Sequence, residues 1–182
     1  MEIKYFNSNF DKITQNKDTD KSITNLIEKL PSLNIVSDKN LLEETIKISK
    51  QFKEKKEKII VFGTGGSNLG ARALNNIISN NKIILEFYDN VDPINFEKNF
   101  QNINFELTGF LVISKSGTTP ETLSQFSCLY QKAIEANKVE DFFSNTLIIT
   151  EFKESPLFKI AKDNNSVSYT HLTLPTRDDG LL

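Results

Sequence analysis

The stretch "VISKSGTTPET" at residues 112–122 sets the hydroxyls of Ser114, Ser116, Thr118 and Thr119 and the ammonium of Lys115 directly behind an apolar run. An apolar run closed by turn residues reads as a buried strand, and Ser, Gly and Thr in series read as a loop with free backbone amides. Pro120 suits the first turn of a helix, and Thr118 with Glu121 has capping-box spacing. Residues 116–119 are therefore expected at the positive end of a helix, where unsatisfied N–H groups collect. That set of donors matches a phosphate monoester, which carries about −1.5 to −2 charge at neutral pH and three acceptor oxygens. The plainer alternative, a helix start that caps itself, needs only one hydroxyl. Glu121 would repel an anion and is expected to fold back as the cap.

A second loop, "GTGGSNLGAR" at residues 63–72, follows the apolar run 59–62. As a dinucleotide fingerprint it offers Gly63 and Gly65, but Asn68 stands at the third glycine position. As a nucleotide phosphate loop it offers Gly65 and Gly70, but Ala71-Arg72 replaces the required Lys-Ser/Thr. What remains is a strand-to-helix turn in which Gly65 and Gly66 let a ligand approach the backbone, with Ser67 at its end. A tight turn alone would need fewer glycines. Asp89, closing the next apolar run, keeps a nucleotide cofactor open as an alternative.

These loops need a scaffold, and the surrounding pattern supplies one. Apolar runs near 58–63, 83–89, 109–114 and 146–150 alternate with helix-like segments at 69–79, 93–99, 120–137 and 156–163. Strand and helix in turn imply right-handed crossovers and a parallel sheet with helices on both faces. Ligands of such sheets sit beyond the carboxyl ends of the strands, where strand order reverses. The runs near 58–63 and 109–114 should then be neighbours, with Ser67 and Ser114 at the same end. Ahead of them, "SITNLIEKL" and "NLLEETIKISKQF" carry helical spacing, with Ser37 or Asp38 as a cap for the second.

Composition fits an ordinary globular chain: 182 residues, 22 Lys and Arg against 24 Asp and Glu, and 38% hydrophobic residues. A formal net charge of −2 gives no reason to expect nucleic-acid binding, and no apolar run approaches a membrane span. A cytoplasmic location is expected. The single cysteine, Cys128, cannot pair internally, and it falls among Leu123, Phe126, Tyr130 and Ile134, which reads as a packed, inert thiol. The end of the chain differs in character. "VSYTHLTLPT" at residues 167–176 resembles the translation of a sequencing-library adapter and holds the lone histidine, His171. Residues 167–182 are accordingly expected to be non-native, and His171 is set aside as a catalytic candidate.

Taken in order, "GTGGSNLGARAL", "FYDNVDP", "ISKSGTTPETL" and "ITEFKESPLFKIA" resemble the first sugar isomerase (SIS) domain of the glucose-6-phosphate isomerase family. The resemblance runs from about residue 59 to 161 and implies a three-layer α/β sandwich with a parallel, flavodoxin-like sheet, cut short on its C-terminal side. It divides the chain into an N-terminal helical segment (1–57), an incomplete SIS domain (58–166) and the adapter-like tail (167–182). The family's substrate-phosphate positions fall on Gly65, Gly66, Ser67, Ser114, Lys115, Ser116, Thr118 and Thr119. Ser116-Gly117 stands where some members have Thr-Phe.

The activity implied is that of an intramolecular oxidoreductase of the aldose–ketose type. It interconverts glucose 6-phosphate and fructose 6-phosphate through an enediol, in glycolysis and gluconeogenesis, without metal or cofactor. The family's catalytic glutamate, histidine, lysine and Gly-Gly-Arg arginine lie beyond this sequence, so no catalytic residue is expected here. Arg72 lacks the preceding glycines and is expected at the surface or an interface. A homodimer is implied for the full-length protein. The alternative from another class is a regulatory SIS module that senses a sugar phosphate without transforming it.

Overall fold

Isoleucine, valine and phenylalanine dominate β1 (Lys58–Phe62), and similar runs build β2 (Ile84–Tyr88), β3 (Thr108–Ile113) and β4 (Thr146–Ile149). Runs that are apolar at successive positions suit strands covered on both faces, the condition of a parallel sheet. The computed structural model describes residues 24–25, 35–78, 82–151, 153–164 and 167–169. It joins the strands in the order β2-β1-β3-β4-β5, all parallel, with a short β5 (Val167–Tyr169) beside β4. This is the flavodoxin-like order, in which the direction of winding reverses between β1 and β3. The expected neighbours are thus hydrogen-bonded partners, in the register Phe62↔Val112.

Five helices connect the strands: α2 (Gly66–Ile77), α3 (Pro93–Phe100), α4 (Pro120–Glu135), α5 (Val139–Ser144) and α6 (Pro156–Asp163). Three of them open on proline, whose fixed φ suits a first turn and whose missing N–H would be unbonded there anyway. Asp92 caps α3 by accepting from the amides of Ile94 and Asn95, and Ser155 caps α6 by accepting from that of Phe158. The sequence pattern ended one helix near residue 137 and assigned none to residues 139–144, where α5 stands. The chain divides into two compact units, residues 1–43 and 44–182. Asp38 caps α1 (Lys39–Phe52) through the Leu41 amide at 3.0 Å, one of the two expected caps. The helical pattern expected over 22–30 lies outside the described residues apart from Thr24 and Asn25.

Alternation along the strands sorts side chains into two layers. Ile60, Phe62, Phe110, Val112 and Ile148 point into a core completed by α3, α4, α5 and α6, and much of that core is aromatic. Phe62 has Phe96 and Phe100 each at 6.3 Å, while Phe142 has Phe110 at 5.1 Å and Phe126 at 5.3 Å. Full burial of one such side chain contributes about 1.5–3 kcal/mol, so this layer holds the sheet to its helices. Ile59, Val61, Leu85, Phe87, Leu111, Ile113, Leu147 and Ile149 face the other way, toward residues 45–52 of α1, Lys53 just after it and Ala71 of α2, and there line an apolar groove of about 330 Å³. Gly109 permits the close approach on this face, because a Cβ there would stand 3.0 Å from Cζ of Phe52. Among the described residues no helix is long and apolar enough to cross a membrane.

One packing expectation is corrected. Cys128 is exposed, because the buried stripe of α4 is Thr122, Gln125, Phe126, Leu129 and Ala133, rotated from the stripe the sequence suggested.

Tyr88 closes β2 among the rings of Phe62, Phe96 and Phe100, and its hydroxyl donates to Glu86 at 3.3 Å. Burial, helped by the Glu86 carboxylate, pushes its pKa from 10.0 up to about 12. The fold favours the neutral phenol, so this contribution to stability is intact below pH 10 and is lost as pH rises through about 12. Alkaline titration followed by phenolate absorbance should show a tyrosine ionising near pH 12 that is missing in Tyr88→Phe. Tyr88→Phe should flatten the fall in stability between pH 10 and 12.

Candidate functional site

Gly63 follows β1 and Ser114 follows β3, so the central strand pair delivers both loops to one end of the sheet. How close they come is set at Gly63. A Cβ on this glycine would stand 3.2 Å from the Ser67 Cβ and 3.3 Å from the Ile113 carbonyl oxygen. Ser67 and Ser114 therefore share one end of the sheet, as its topology requires.

The first loop is built for backbone exposure. Gly65 takes φ 53° and ψ −124°, a conformation open in practice to glycine, and it precedes α2 without a side-chain cap. Nothing lies within 4 Å of where a Cβ on Gly65 or Gly66 would be, so the backbone of this turn is open on its outer side. Among the described residues the amides of Gly65 and Gly66 make no hydrogen bond, whereas that of Ser67 donates to Thr64 O at 3.2 Å. Asn68, fully buried, braces the turn from within by donating from Nδ2 to Gly63 O at 3.0 Å, and its Oδ1 has no partner. In the sequence alone Asn68 stands out only as the residue that breaks a dinucleotide fingerprint. Arg72 is exposed on α2 and pairs with Asp89 at 3.1 Å, which commits the carboxylate that a nucleotide ribose would need.

The second loop is held by its own hydroxyls. Ser114 Oγ lies 2.8 Å from Thr119 Oγ1 and accepts from the Gly117 amide at 3.1 Å. Ser116 Oγ accepts from the amide of Thr118 at 3.2 Å and from its hydroxyl at 3.0 Å. The expected capping box is not formed: the cap of α4 is Thr119, without a side-chain hydrogen bond, and Thr118 turns back to Ser116. Glu121 is exposed in the first turn of α4. The amides of Lys115, Ser116 and Thr119 carry no hydrogen bond among the described residues. Two helix N-termini, those of α2 and α4, thus open at the same end of the sheet, and each favours negative charge.

A third segment, which belongs to the family resemblance but was assigned no part in the site, holds this loop from behind. Lys115 O accepts from the Glu151 amide at 3.0 Å and from Thr150 Oγ1 at 3.4 Å. Gly117 O accepts from the Leu157 amide at 3.2 Å, in the first turn of α6. Gly117 itself has φ +64°, and a Cβ there would press on the Ser155 side chain and come within 2.9 Å of Thr150 Oγ1. Here lies the physical reason for glycine at 117. On the other side, Gln125 Nε2 donates to Asn90 O at 2.9 Å and ties the loop after β2 to α4. Among the described residues no group of three or more His, Cys, Asp or Glu could hold a metal ion.

A three-layer parallel α/β domain with two such loops at its switch point is a domain of the sugar isomerase type. The phosphoglucose isomerase family profile matches residues 17–167, and the chain belongs to that family. It is similar to a probable glucose-6-phosphate isomerase of Methanococcus maripaludis, 37% identical over 130 residues, which span 68% of this chain and 28% of that protein. The glucose-6-phosphate isomerase of Campylobacter jejuni is 36% identical over 95 residues, 50% of this chain and 23% of that protein. The chain therefore spans about a quarter of the length of these relatives. Among solved structures, a glucose-6-phosphate isomerase from Chlamydia trachomatis superposes with a TM-score of 0.60 at 24% identity, over 71% of this chain and 25% of that one. A hypothetical protein from Thermus thermophilus gives 0.62 at 22% identity, over 84% and 40%. Both likenesses bear on the fold.

Replacing Gly117 with alanine combines a positive φ with a collision, so Gly117→Ala should cost about 2–4 kcal/mol. Gly70→Ala meets nothing within 4 Å inside α2 and should be neutral or stabilising by about 0.5–1 kcal/mol. Denaturant midpoints of the two variants check the contrast.

Proposed function

We propose that this chain is the substrate-phosphate-binding part of a glucose-6-phosphate isomerase. The observation that carries this reading is the meeting of the two loops at the β1–β3 switch point, where the Ser67 and Ile113 atoms crowd a single glycine. Amides of Gly65, Gly66, Lys115, Ser116 and Thr119 and hydroxyls of Ser67, Ser116, Thr118 and Thr119 supply donors, and Lys115 supplies charge. Ser114 is buried and acts from beneath, ordering Thr119 and Gly117. Membership of the phosphoglucose isomerase family supports the substrate class.

In the complete enzyme these residues hold the phosphoryl end of the sugar. Anchoring a remote group supplies binding energy that positions the reacting carbons. The proton shift between C2 and C1 needs a base near the carbon acid and groups that stabilise the developing oxyanion. Glu121 sits at the helix start beside the phosphate loop and not at that end of the substrate. The chain by itself therefore binds and does not isomerise. The full-length protein is read as a cytoplasmic homodimer. Residues 167–182 are read as adapter-derived: β5 is a short segment on the open edge of β4, and such an edge accepts any strand-forming chain.

Two measurements test this. Calorimetry with fructose 6-phosphate should detect binding that the double variant Ser116→Ala, Thr119→Ala weakens at least tenfold, since a hydrogen bond to a charged group is worth about 1.5–3 kcal/mol. A coupled assay with glucose 6-phosphate should show no turnover above that variant, and turnover would overturn the placement of the chemistry outside this chain. Deleting residues 167–182 should leave the affinity within about twofold; a clear loss would show that the tail belongs to the protein.

A further inference from the structure

The lysine of the second loop is already paired. Lys115 Nζ lies 3.6 Å from Glu151 Oε1, with the side chains 28% and 35% exposed. The pairing is fixed by the backbone, because the Glu151 amide donates to the Lys115 carbonyl at 3.0 Å and Thr150 Oγ1 reaches the same carbonyl. Residue 151 is thus held beside residue 115 whatever their side chains do. Resting on the phosphate-binding reading above, we propose that Glu151 is a specificity-determining residue of the site. Its carboxylate occupies Lys115 in the empty loop and is exchanged for the phosphoryl group when ligand enters.

Charge arithmetic gives the consequence. With the pair intact, Lys115 and Glu151 sum to zero, and the loop attracts anions chiefly through its amides, hydroxyls and helix dipoles. An incoming anion must then satisfy several of these donors at once to outweigh the ion pair. A tetrahedral phosphoryl group with three acceptor oxygens can do so. A chloride or acetate ion, with fewer or poorly placed acceptors, cannot. By occupying the ammonium the carboxylate raises the requirement for entry, since only an anion that recruits several loop donors can displace it, a specificity device that works by penalising the wrong partner. It also keeps the ammonium close to the loop through the exchange, since the lysine backbone is anchored on the same residue.

Glu151→Gln keeps the amide contact and the side-chain volume and removes the charge. Calorimetric titration with inorganic phosphate and with fructose 6-phosphate should show tightening by about threefold to tenfold, which is about 0.7–1.4 kcal/mol. Chloride and acetate should compete measurably in Glu151→Gln and not in the unmodified protein. The gain should shrink when Lys115→Met is present in both members of the comparison, because the carboxylate then has no ammonium to release and only its direct repulsion of the anion is relieved. Phosphate binding that is unchanged or weakened by Glu151→Gln would overturn the proposal while leaving the phosphate-binding reading standing. Absence of phosphate binding in the unmodified protein and in Glu151→Gln alike would overturn both. Amide chemical shifts of the loop, which should move little on Glu151→Gln, verify that the backbone anchor survives the substitution.

Discussion

The parallel pairing of β1 with β3 is the constraint on which the candidate site rests. Strands adjacent in space but separated in the chain by a whole βα unit bring together segments that no local interaction could join. Because Phe62 is opposite Val112, the turns that follow both strands begin at the same level. A register slip of one residue would exchange the aromatic and groove-facing sets of side chains. The ring layer of Phe62, Phe96, Phe100, Phe110 and Phe142 thereby secures loop geometry from beneath.

Above that layer the loops are ordered by different means. The first relies on glycine conformations and one buried amide, Asn68, and so leaves its outer side bare. The second spends its hydroxyls on one another and is pinned by the segment 150–157, which reaches it through two backbone carbonyls. Donors fixed before a ligand arrives need no reorganisation when it does, which is the general advantage of preorganised polar sites. The ion pair of Lys115 with Glu151 belongs to the same pinning segment, so loop shape and loop charge are set by one element.

Much of this was legible in the sequence. Apolar runs closed by Gly63, Asp89, Ser114 and Thr150 marked β1 to β4 to within a residue or so, and prolines at 93, 120 and 156 marked helix starts, since both signals are local. Side-chain partners were less legible. Thr118 and Glu121 had the spacing of a capping box, yet Ser116 competed for Thr118 and won. On α4 the apolar pattern of Leu123, Phe126, Tyr130 and Ile134 pointed to one stripe, and contact with the sheet buried a neighbouring one that includes the polar Thr122 and Gln125, leaving Cys128 outside. The brace at Thr150, Glu151 and Ser155 had no local signature, because it exists only once β4 lies beside β3.

The two faces of the sheet are finished to different degrees. One is sealed by rings, whereas the other keeps an apolar groove, and Leu69, Leu74, Ile77 and Ile78 of the neighbouring α2 region stand exposed. Exposed hydrocarbon on this scale is what holdase chaperones recognise and what drives self-association at high protein concentration. A cell producing this chain would thus meet a molecule that is folded by every local criterion yet handled as though its synthesis were incomplete. Its yield in soluble form would depend on that half-covered face more than on the stability of the aromatic core.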